Sequence, residues 1–150
     1  MKKIYIGADS AGYFMKEELA GYIKGKGYEV IDCGADSAES SHYPEFASAV
    51  SKSVQKDLEG SFGILVCGTG IGMSMTANKY KGIRAAVCGD TFSAKMTRMH
   101  NDANVLCIGA RVIGIGLAKD IVDLFLSSEF EGGRHEIRVN MIADVESAEK

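Results

Sequence analysis

A glycine-rich turn, Cys67-Gly68-Thr69-Gly70-Ile71-Gly72, is the segment with the clearest potential for chemistry. It follows an apolar run and precedes a segment of helical period. Backbone N–H groups in such a turn can converge on an anion at the start of a helix. A tight strand-to-helix connection requires fewer glycines than this one has. We therefore expect an anion or an oxyanion to bind here.

Cys67 lies at the end of a predicted strand and faces the start of a predicted helix, two conditions that favour the thiolate form of cysteine. It is a candidate general base or nucleophile. The other cysteines, Cys33, Cys88 and Cys107, lie within or at the end of apolar runs and lack a comparable turn. We expect them to be core thiols in the reduced state, because no pair has CxxC spacing.

The residue spacing of the turn can be compared with the motifs of other phosphate-binding loops. A Walker loop needs Gly-Lys-Ser or Gly-Lys-Thr, and neither occurs in this sequence. A dinucleotide fingerprint reads G-x-G-x-x-G, whereas this turn reads G-x-G-x-G-M, although Asp90 follows near the end of the next predicted strand. A non-catalytic nucleotide-binding domain of Rossmann type therefore stays open as an alternative.

His100-Asn101-Asp102 ends a predicted helix just before the fifth predicted strand. This segment falls at the carboxyl or the amino edge of the sheet, depending on where the helix ends. A histidine in this position is by itself more often a partner of the helix dipole than a catalyst. His42, His100 and His135 have neither HxxxH nor paired Cys/His spacing, so no metal site is predicted.

Three arginines follow the fifth predicted strand. Arg134 and Arg138 are four residues apart on the last predicted helix and share a face. Together with Arg111 they could form a cationic cluster of the kind that binds phosphate. The alternative is a solvated basic face paired with Glu131 or Glu136, and the sequence leaves both open.

These residues need a scaffold, and the chain alternates short β-branched runs with segments of 3.6-residue period. This pattern predicts an α/β fold, a three-layer αβα sandwich around a five-stranded, parallel, doubly wound, Rossmann-like sheet. We expect one domain over residues 1–150. The predicted strands are Lys3–Ile6, Tyr28–Cys33, Gly63–Cys67, Arg84–Cys88 and Asn104–Ile108. Ligands of such sheets bind beyond the carboxyl ends of the strands, where the glycine-rich turn falls.

Two predicted helices have apolar faces of particular interest. The first helix, from about 11 to 24, carries Phe14 and Leu19 on its predicted apolar side. The last helix, from about 134 to 149, has apolar residues that must be shielded from water by another surface. A small domain often covers such a helix by forming a dimer, and we expect the last helix to pack on a dimer partner.

Composition limits the function classes. The 150 residues carry 17 Lys and Arg against 20 Asp and Glu, a net charge of -3, and 46% are hydrophobic. This describes a globular protein rather than a disordered one, and its acidic balance argues against nucleic acid or an anionic membrane as the main partner. The apolar stretch before Asp9, about four residues, is too short for a signal-peptide core. We expect a cytoplasmic protein with no membrane span.

Six motifs occur in order along nearly the whole chain: Gly7-Ala8-Asp9, the Cys67–Gly72 turn, Ala77-Asn78-Lys79, Gly82-Ile83-Arg84-Ala85, His100-Asn101-Asp102-Ala103-Asn104 and Glu131-Gly132-Gly133-Arg134-His135. In this combination the chain resembles the ribose-5-phosphate isomerase B family. The wider family also contains galactose-6-phosphate isomerase and enzymes that act on allose 6-phosphate.

The resemblance implies interconversion of ribose 5-phosphate and ribulose 5-phosphate through a cis-enediolate, without a metal or an organic cofactor. It implies a site shared by the two subunits of a homodimer, which could assemble further into a tetramer. Cys67 would be the base, and His100, with Asp9 and Thr69, would open the furanose ring. The residues implied in substrate binding are Gly68, Gly70, Gly72, Asn101, Tyr43, Ser10, Arg111, Arg134 and Arg138.

Two positions depart from the family pattern. Ser10 stands where the family usually has a histidine that helps to bind phosphate, and His42 stands where it often has aspartate. A 6-phosphohexose, allose or galactose 6-phosphate, is therefore the alternative substrate. A catalytically weakened paralogue that serves as a partner subunit is a further alternative, against which the intact Cys67, Thr69 and His100 weigh.

Overall fold

The computed structural model describes residues 1–149, and strands alternate with helices along this part of the chain. Lys150, the last residue of the predicted domain, lies outside the described residues. The strands are β1 (Lys3–Ala8), β2 (Val30–Asp32), β3 (Ser61–Cys67), β4 (Ala85–Val87) and β5 (Val105–Gly109). The helices are α1 (Tyr13–Gly25), α2 (Tyr43–Gln55), α3 (Ile71–Ala77), α4 (Thr91–Asn101), α5 (Ile115–Ser127) and α6 (Arg134–Ala148).

The strands form one parallel sheet in the order β2-β1-β3-β5-β4. β3 lies at its centre, and all seven of its residues are buried, as expected for a strand that is apolar on both faces. From β1 the chain first adds β2 on one side and then crosses to β3 on the other. The strand order therefore switches between β1 and β3, where a doubly wound sheet binds its ligands.

Each face of the sheet packs against its own set of helices. On one face, Leu19 of α1 and Phe125 of α5 belong to a core cluster with the strands. On the other face, Val50 of α2 and Met73 of α3 belong to a second cluster. The predicted α/β fold with a five-stranded parallel sheet is thus confirmed.

The edge strands are shorter than predicted. β2 covers only Val30–Asp32 and β4 only Ala85–Val87, and each pairs with a single neighbour. Flanking residues of the predicted segments still bond to the neighbouring strand: the N–H of Cys33 donates to the carbonyl of Ile6 at 2.8 Å, and the N–H of Cys88 donates to the carbonyl of Cys107 at 3.1 Å. Short edge strands expose few unpaired backbone groups, which limits pairing with other chains.

The prediction that Phe14 lies on the buried side of α1 is wrong, since 73% of its surface is exposed. The buried stripe of α1 passes through Lys16 and Leu19 instead. Lys16 is fully buried, and its ammonium donates to both carboxylate oxygens of Asp32 at 2.9 Å. A lysine paired with a carboxylate can therefore occupy an inward-facing position of a helix.

Within residues 1–149, no helix combines the length and hydropathy needed to cross a bilayer.

Candidate active site

A cleft of about 460 Å³ opens at the carboxyl edge of the sheet, at the switch between β1 and β3. It is the place where the fold predicts a ligand. Seven of the residues singled out in the sequence line it: Asp9, Tyr43, Cys67, Gly68, Thr69, Gly72 and Arg111.

Cys67 is the last residue of β3, and only 5% of its surface is exposed. The backbone N–H of Gly70 donates to its Sγ at 3.1 Å. Its own carbonyl accepts from the N–H of Ala110 at 2.8 Å, which ties the end of β3 to the segment after β5. An N–H donor aimed at sulfur can stabilise negative charge there. The thiol is therefore held in place and polarised by backbone atoms.

The glycines of the turn have separate steric reasons. Gly70 adopts φ 80°, a left-handed conformation that favours glycine, and it caps α3. A Cβ on Gly72 would lie 2.4 Å from Cε1 of Tyr43, so only glycine lets that ring pack against α3. The backbone N–H of Gly70, predicted to bind a substrate oxygen, donates to the Cys67 sulfur in this structure.

Polar groups surround the thiol. The side chain of Arg111 lies over Gly68, and its backbone N–H donates to the Gly68 carbonyl at 3.0 Å. Oδ1 of Asp9 accepts from the N–H of Gly12 at 3.1 Å. Oγ1 of Thr69 accepts from the N–H of Ile71 at 3.2 Å. The cleft thus combines a thiol, a carboxylate, a hydroxyl and a guanidinium. These groups can bind an anion and move protons beside it.

Ser10 lies next to this cleft and is half-buried. Its backbone N–H donates to Oγ of Ser41 at 3.0 Å, which joins the segment after β1 to the polar loop before α2. The contact is made by the backbone, so the Ser10 hydroxyl is not needed for it.

The remaining predicted site residues do not join the cleft within one chain. α4 runs antiparallel to the strands, so His100 and Asn101 at its end lie near the start of β5, at the amino edge. Cys67 lies at the carboxyl edge. Arg134 and Arg138 begin α6, which packs against α4. The predicted cluster of Arg111 with these two arginines is therefore not formed within one chain.

His100 instead belongs to a second cluster. Its Nε2 lies 3.2 Å from Oε1 of Glu131, and Nε2 of His135 lies 3.4 Å from the same oxygen. The two imidazole rings stack with centroids 4.1 Å apart and an interplanar angle of 8°. Burial lowers the pKa of His135, and the neighbouring His100 lowers it further. Glu131 thus pairs with histidines rather than with the arginines.

This cluster bears on the prediction of no metal site. Ligand atoms of His100, Glu131 and His135 all lie within 4.8 Å of one another, a grouping that no histidine spacing revealed. Imidazole lone pairs lie in the ring plane, so two parallel rings direct them along parallel planes rather than to one point. The geometry suits two stacked rings beside a carboxylate better than tetrahedral coordination.

Sequence reasoning missed two residues at the mouth of the Cys67 cleft. Ile71 and Met75 line it, with 50% and 65% of their surfaces exposed. Their spacing of four residues on α3 places them on one face of that helix. This periodicity was the available signal.

The other cysteines lack such a setting. Cys88 and Cys107 are buried, and burial raises the pKa of Cys88 to about 11 and that of Cys107 well above its usual value. Cys33 is only half-buried, and burial also raises its pKa. All four cysteines are free thiols.

A parallel α/β fold with a backbone-held thiol and an arginine in a cleft at its switch point defines the class of protein as a doubly wound α/β protein with a candidate small-molecule site at the sheet edge. The family model described as ribose/galactose isomerase matches residues 4–142. The chain belongs to this family.

Two relatives and one solved structure illustrate the similarity. Ribose-5-phosphate isomerase B of Escherichia coli (strain K12) is 48% identical over 147 residues, 97% of each chain. D-erythrulose-4-phosphate isomerase of Pectobacterium atrosepticum is 46% identical over 151 residues, covering 100% of this chain and 99% of the relative. Ribose-5-phosphate isomerase B of Mycoplasma genitalium with bound ribulose-5-phosphate superimposes with a TM-score of 0.94 at 38% identity, over 97% and 96% of the two chains.

Proposed function

We propose that this chain is an aldose–ketose isomerase that interconverts ribose 5-phosphate and ribulose 5-phosphate. The observation that carries the proposal is the Cys67 thiol, held by the Gly70 N–H at 3.1 Å in a cleft beside Arg111. The relative from Escherichia coli and the ribulose-5-phosphate-bound structure from Mycoplasma genitalium support the choice of sugar.

The reaction follows from these groups. Sγ of Cys67, as a thiolate, takes the proton from C2 of the open-chain aldose, and the electron pair moves through C1 to the carbonyl oxygen to give a cis-enediolate. Return of the proton to C1 and transfer of the hydroxyl proton from O2 to O1 leave the ketose. Backbone donors of the glycine-rich turn would bind the enediolate oxygens, each contributing on the order of 3 kcal/mol. Arg111 would bind the phosphate.

A second copy of the chain completes the site in this proposal. The groups proposed for ring opening and further phosphate binding, His100, Arg134 and Arg138, lie at the opposite edge of the sheet from Cys67. A two-fold axis can bring the amino edge of one subunit to the carboxyl edge of the other. Each of the two sites of a homodimer would then combine Cys67 of one chain with His100 of its partner.

The surface of α6 supports this assembly. Apolar side chains along this helix are exposed by half or more of their surface: Ile137, Met141, Ile142 and Val145. A cleft of about 830 Å³ lies between α6 and the α3, β4 and α4 region, and Asn101 lines it. Such a surface favours a homodimer, which could pair further into a tetramer.

A tetrose 4-phosphate is the second candidate substrate. The relative at 46% identity is named for D-erythrulose 4-phosphate, and its identity nearly equals that of the ribose-5-phosphate relative. Ser10 adds to the question of sugar length, because the family resemblance implies a phosphate-binding histidine at this position.

We also propose that residues 1–150 form one isomerase domain in the cytoplasm. The family match over residues 4–142 and the nearly complete coverage of relatives support a single domain. The four free thiols suit a reducing compartment.

Proton NMR in D₂O tests the function. The purified protein is incubated separately with ribose 5-phosphate, D-erythrulose 4-phosphate, allose 6-phosphate and galactose 6-phosphate, and C–H exchange and product formation are followed. We expect exchange and product with ribose 5-phosphate. Faster turnover of one of the other sugars would reassign the substrate. No reaction with any sugar, together with a shift in melting temperature on adding NAD or ATP, would favour the nucleotide-binding alternative.

A further inference from the structure

We propose that Glu131 is a positioning residue for His100, and that it holds the imidazole for ring opening together with the stacked ring of His135. The inference rests on the proposed function, because it assigns a role to residues around the group that would open the sugar ring. Neither residue would itself contact the reacting carbons.

Glu131 is anchored by its backbone as well as by its carboxylate. Its N–H donates to the carbonyl of Met99 at 3.0 Å, which fixes the loop after α5 against the last turn of α4. Its Oε1 then lies 3.2 Å from Nε2 of His100 on that same turn. The side chains of His100 and Glu131 are 36% and 44% exposed, so a ligand can reach the imidazole while the carboxylate holds it.

The ring of His135 restrains the His100 imidazole from its flat face. It follows Glu131 by four residues, in the first turn of α6, and its ring stacks on that of His100 at a centroid distance of 4.1 Å. The contact with the Glu131 carboxylate limits movement of the His100 ring within its own plane. Stacking against the His135 ring limits its movement out of that plane.

The surroundings of His135 favour its neutral form. Burial lowers the pKa of His135 most, His100 and Arg134 lower it further, and the smaller effect of Glu131 raises it. His135 is therefore disposed to be neutral. The Glu131 carboxylate at Nε2 of His100 orients that ring and fixes its tautomer, which leaves the other ring nitrogen to exchange a proton with the sugar.

The two substrates of the proposed reaction separate this role from the rest of catalysis. Ribose 5-phosphate is a furanose that must open before C2 can lose its proton. Ribulose 5-phosphate carries its phosphate on the C5 oxygen that would close a five-membered ring on C2, so it is an open chain. Exchange of a C1 hydrogen of ribulose 5-phosphate with D₂O needs the Cys67 chemistry but no ring opening.

The test compares Glu131→Gln with the wild type in two assays, turnover of ribose 5-phosphate and deuterium exchange at C1 of ribulose 5-phosphate. We expect turnover to fall about tenfold or more, and exchange to stay within about twofold. Glu129→Gln makes the same chemical change two residues earlier in the same loop and should affect neither assay. Glu131→Asp keeps the charge on a shorter side chain and should restore part of the turnover.

Equal losses in both assays would overturn the positioning role, as would the absence of loss in either. A general defect of folding would also lower both rates together, and circular dichroism identifies it. Glu131→Asp then repeats the comparison with the charge retained, and its turnover should fall more than its exchange. A wild-type protein inactive in both assays would instead overturn the proposed function, so the two failures are distinct.

Discussion

At the scale of single residues, the backbone determines the environment of the proposed base. The sulfur of Cys67 accepts a hydrogen bond from the Gly70 N–H, and its carbonyl accepts one from the Ala110 N–H. Neither contact depends on a side chain of another residue. The position of the thiol therefore depends on the turn being able to adopt its left-handed step at Gly70.

Replacing the thiol tests this assignment. Cys67→Ala should lower turnover of the sugar phosphate by roughly 10²-fold to 10⁴-fold, since it removes the proposed base. Steady-state kinetics measure the loss, and Cys33→Ala is the matched control at a half-buried thiol away from the cleft. Full turnover in Cys67→Ala would contradict the mechanism.

The stacked histidines predict a pH dependence of stability. Burial lowers the pKa of His135 below its ordinary value of 6.5 in the folded protein. Below that pH the unfolded chain binds a proton that the folded chain resists, so the free energy of unfolding should fall as the pH drops. Chemical denaturation at several pH values measures the slope. His135→Gln should flatten it, whereas His42→Gln, at an exposed histidine, should leave it unchanged.

At the scale of elements, the glycine-rich turn joins β3 to α3 and places α2 against both. Tyr43, the first residue of α2, packs where a side chain on Gly72 would otherwise lie. The contact between the two helices near the cleft therefore depends on the absence of a Cβ. A turn predicted for anion binding also has this packing role.

Two glycine substitutions separate packing from helix propensity. Gly72→Ala should cost about 1–3 kcal/mol in free energy of unfolding and displace Tyr43 from the cleft, because its Cβ would lie 2.4 Å from that ring. Gly21→Ala, in the middle of α1 with nothing within 4 Å, should instead stabilise by about 1 kcal/mol. Thermal unfolding of both variants checks the opposite signs. Equal changes in the free energy of unfolding for the two variants would show that helix propensity, and not the contact with Tyr43, determines the effect.

At the scale of the whole molecule, the proposed site needs two chains. The Cys67 cleft and the His100 cluster lie at opposite edges of the same sheet. Their separation is a property of the topology, since α4 must return the chain to the amino edge before β5 can start. Side-chain motion cannot join the two groups within one subunit.

Mixing inactive variants tests this arrangement. Cys67→Ala and His100→Ala homodimers should each have little activity, but a mixed dimer regains one intact site. Random reassociation of equal amounts makes half of the dimers mixed, each with one of two sites intact, so about one quarter of wild-type activity should return. Activity after denaturation and joint refolding is the measurement. No recovery, with mixed dimers shown by mass spectrometry, would place both residues in one subunit's site.

The sequence by itself determined the order of strands and helices, the parallel α/β class and the chemical character of the turn. These features are local, since hydrophobic period, glycine spacing and strand ends are visible within short windows. The resemblance to the family also followed from short motifs. The edge strands are shorter than predicted and Phe14 is exposed, because strand pairing and helix packing involve residues far apart in the sequence.

Only the tertiary structure decided which of the predicted residues meet. It grouped Asp9, Cys67 and Arg111 in one cleft and separated His100 from them, although all had been candidates for one site. It also brought Glu131 to His100 across about thirty intervening residues. The physical reason is that proximity between distant segments depends on strand order and helix direction, which no local pattern specifies.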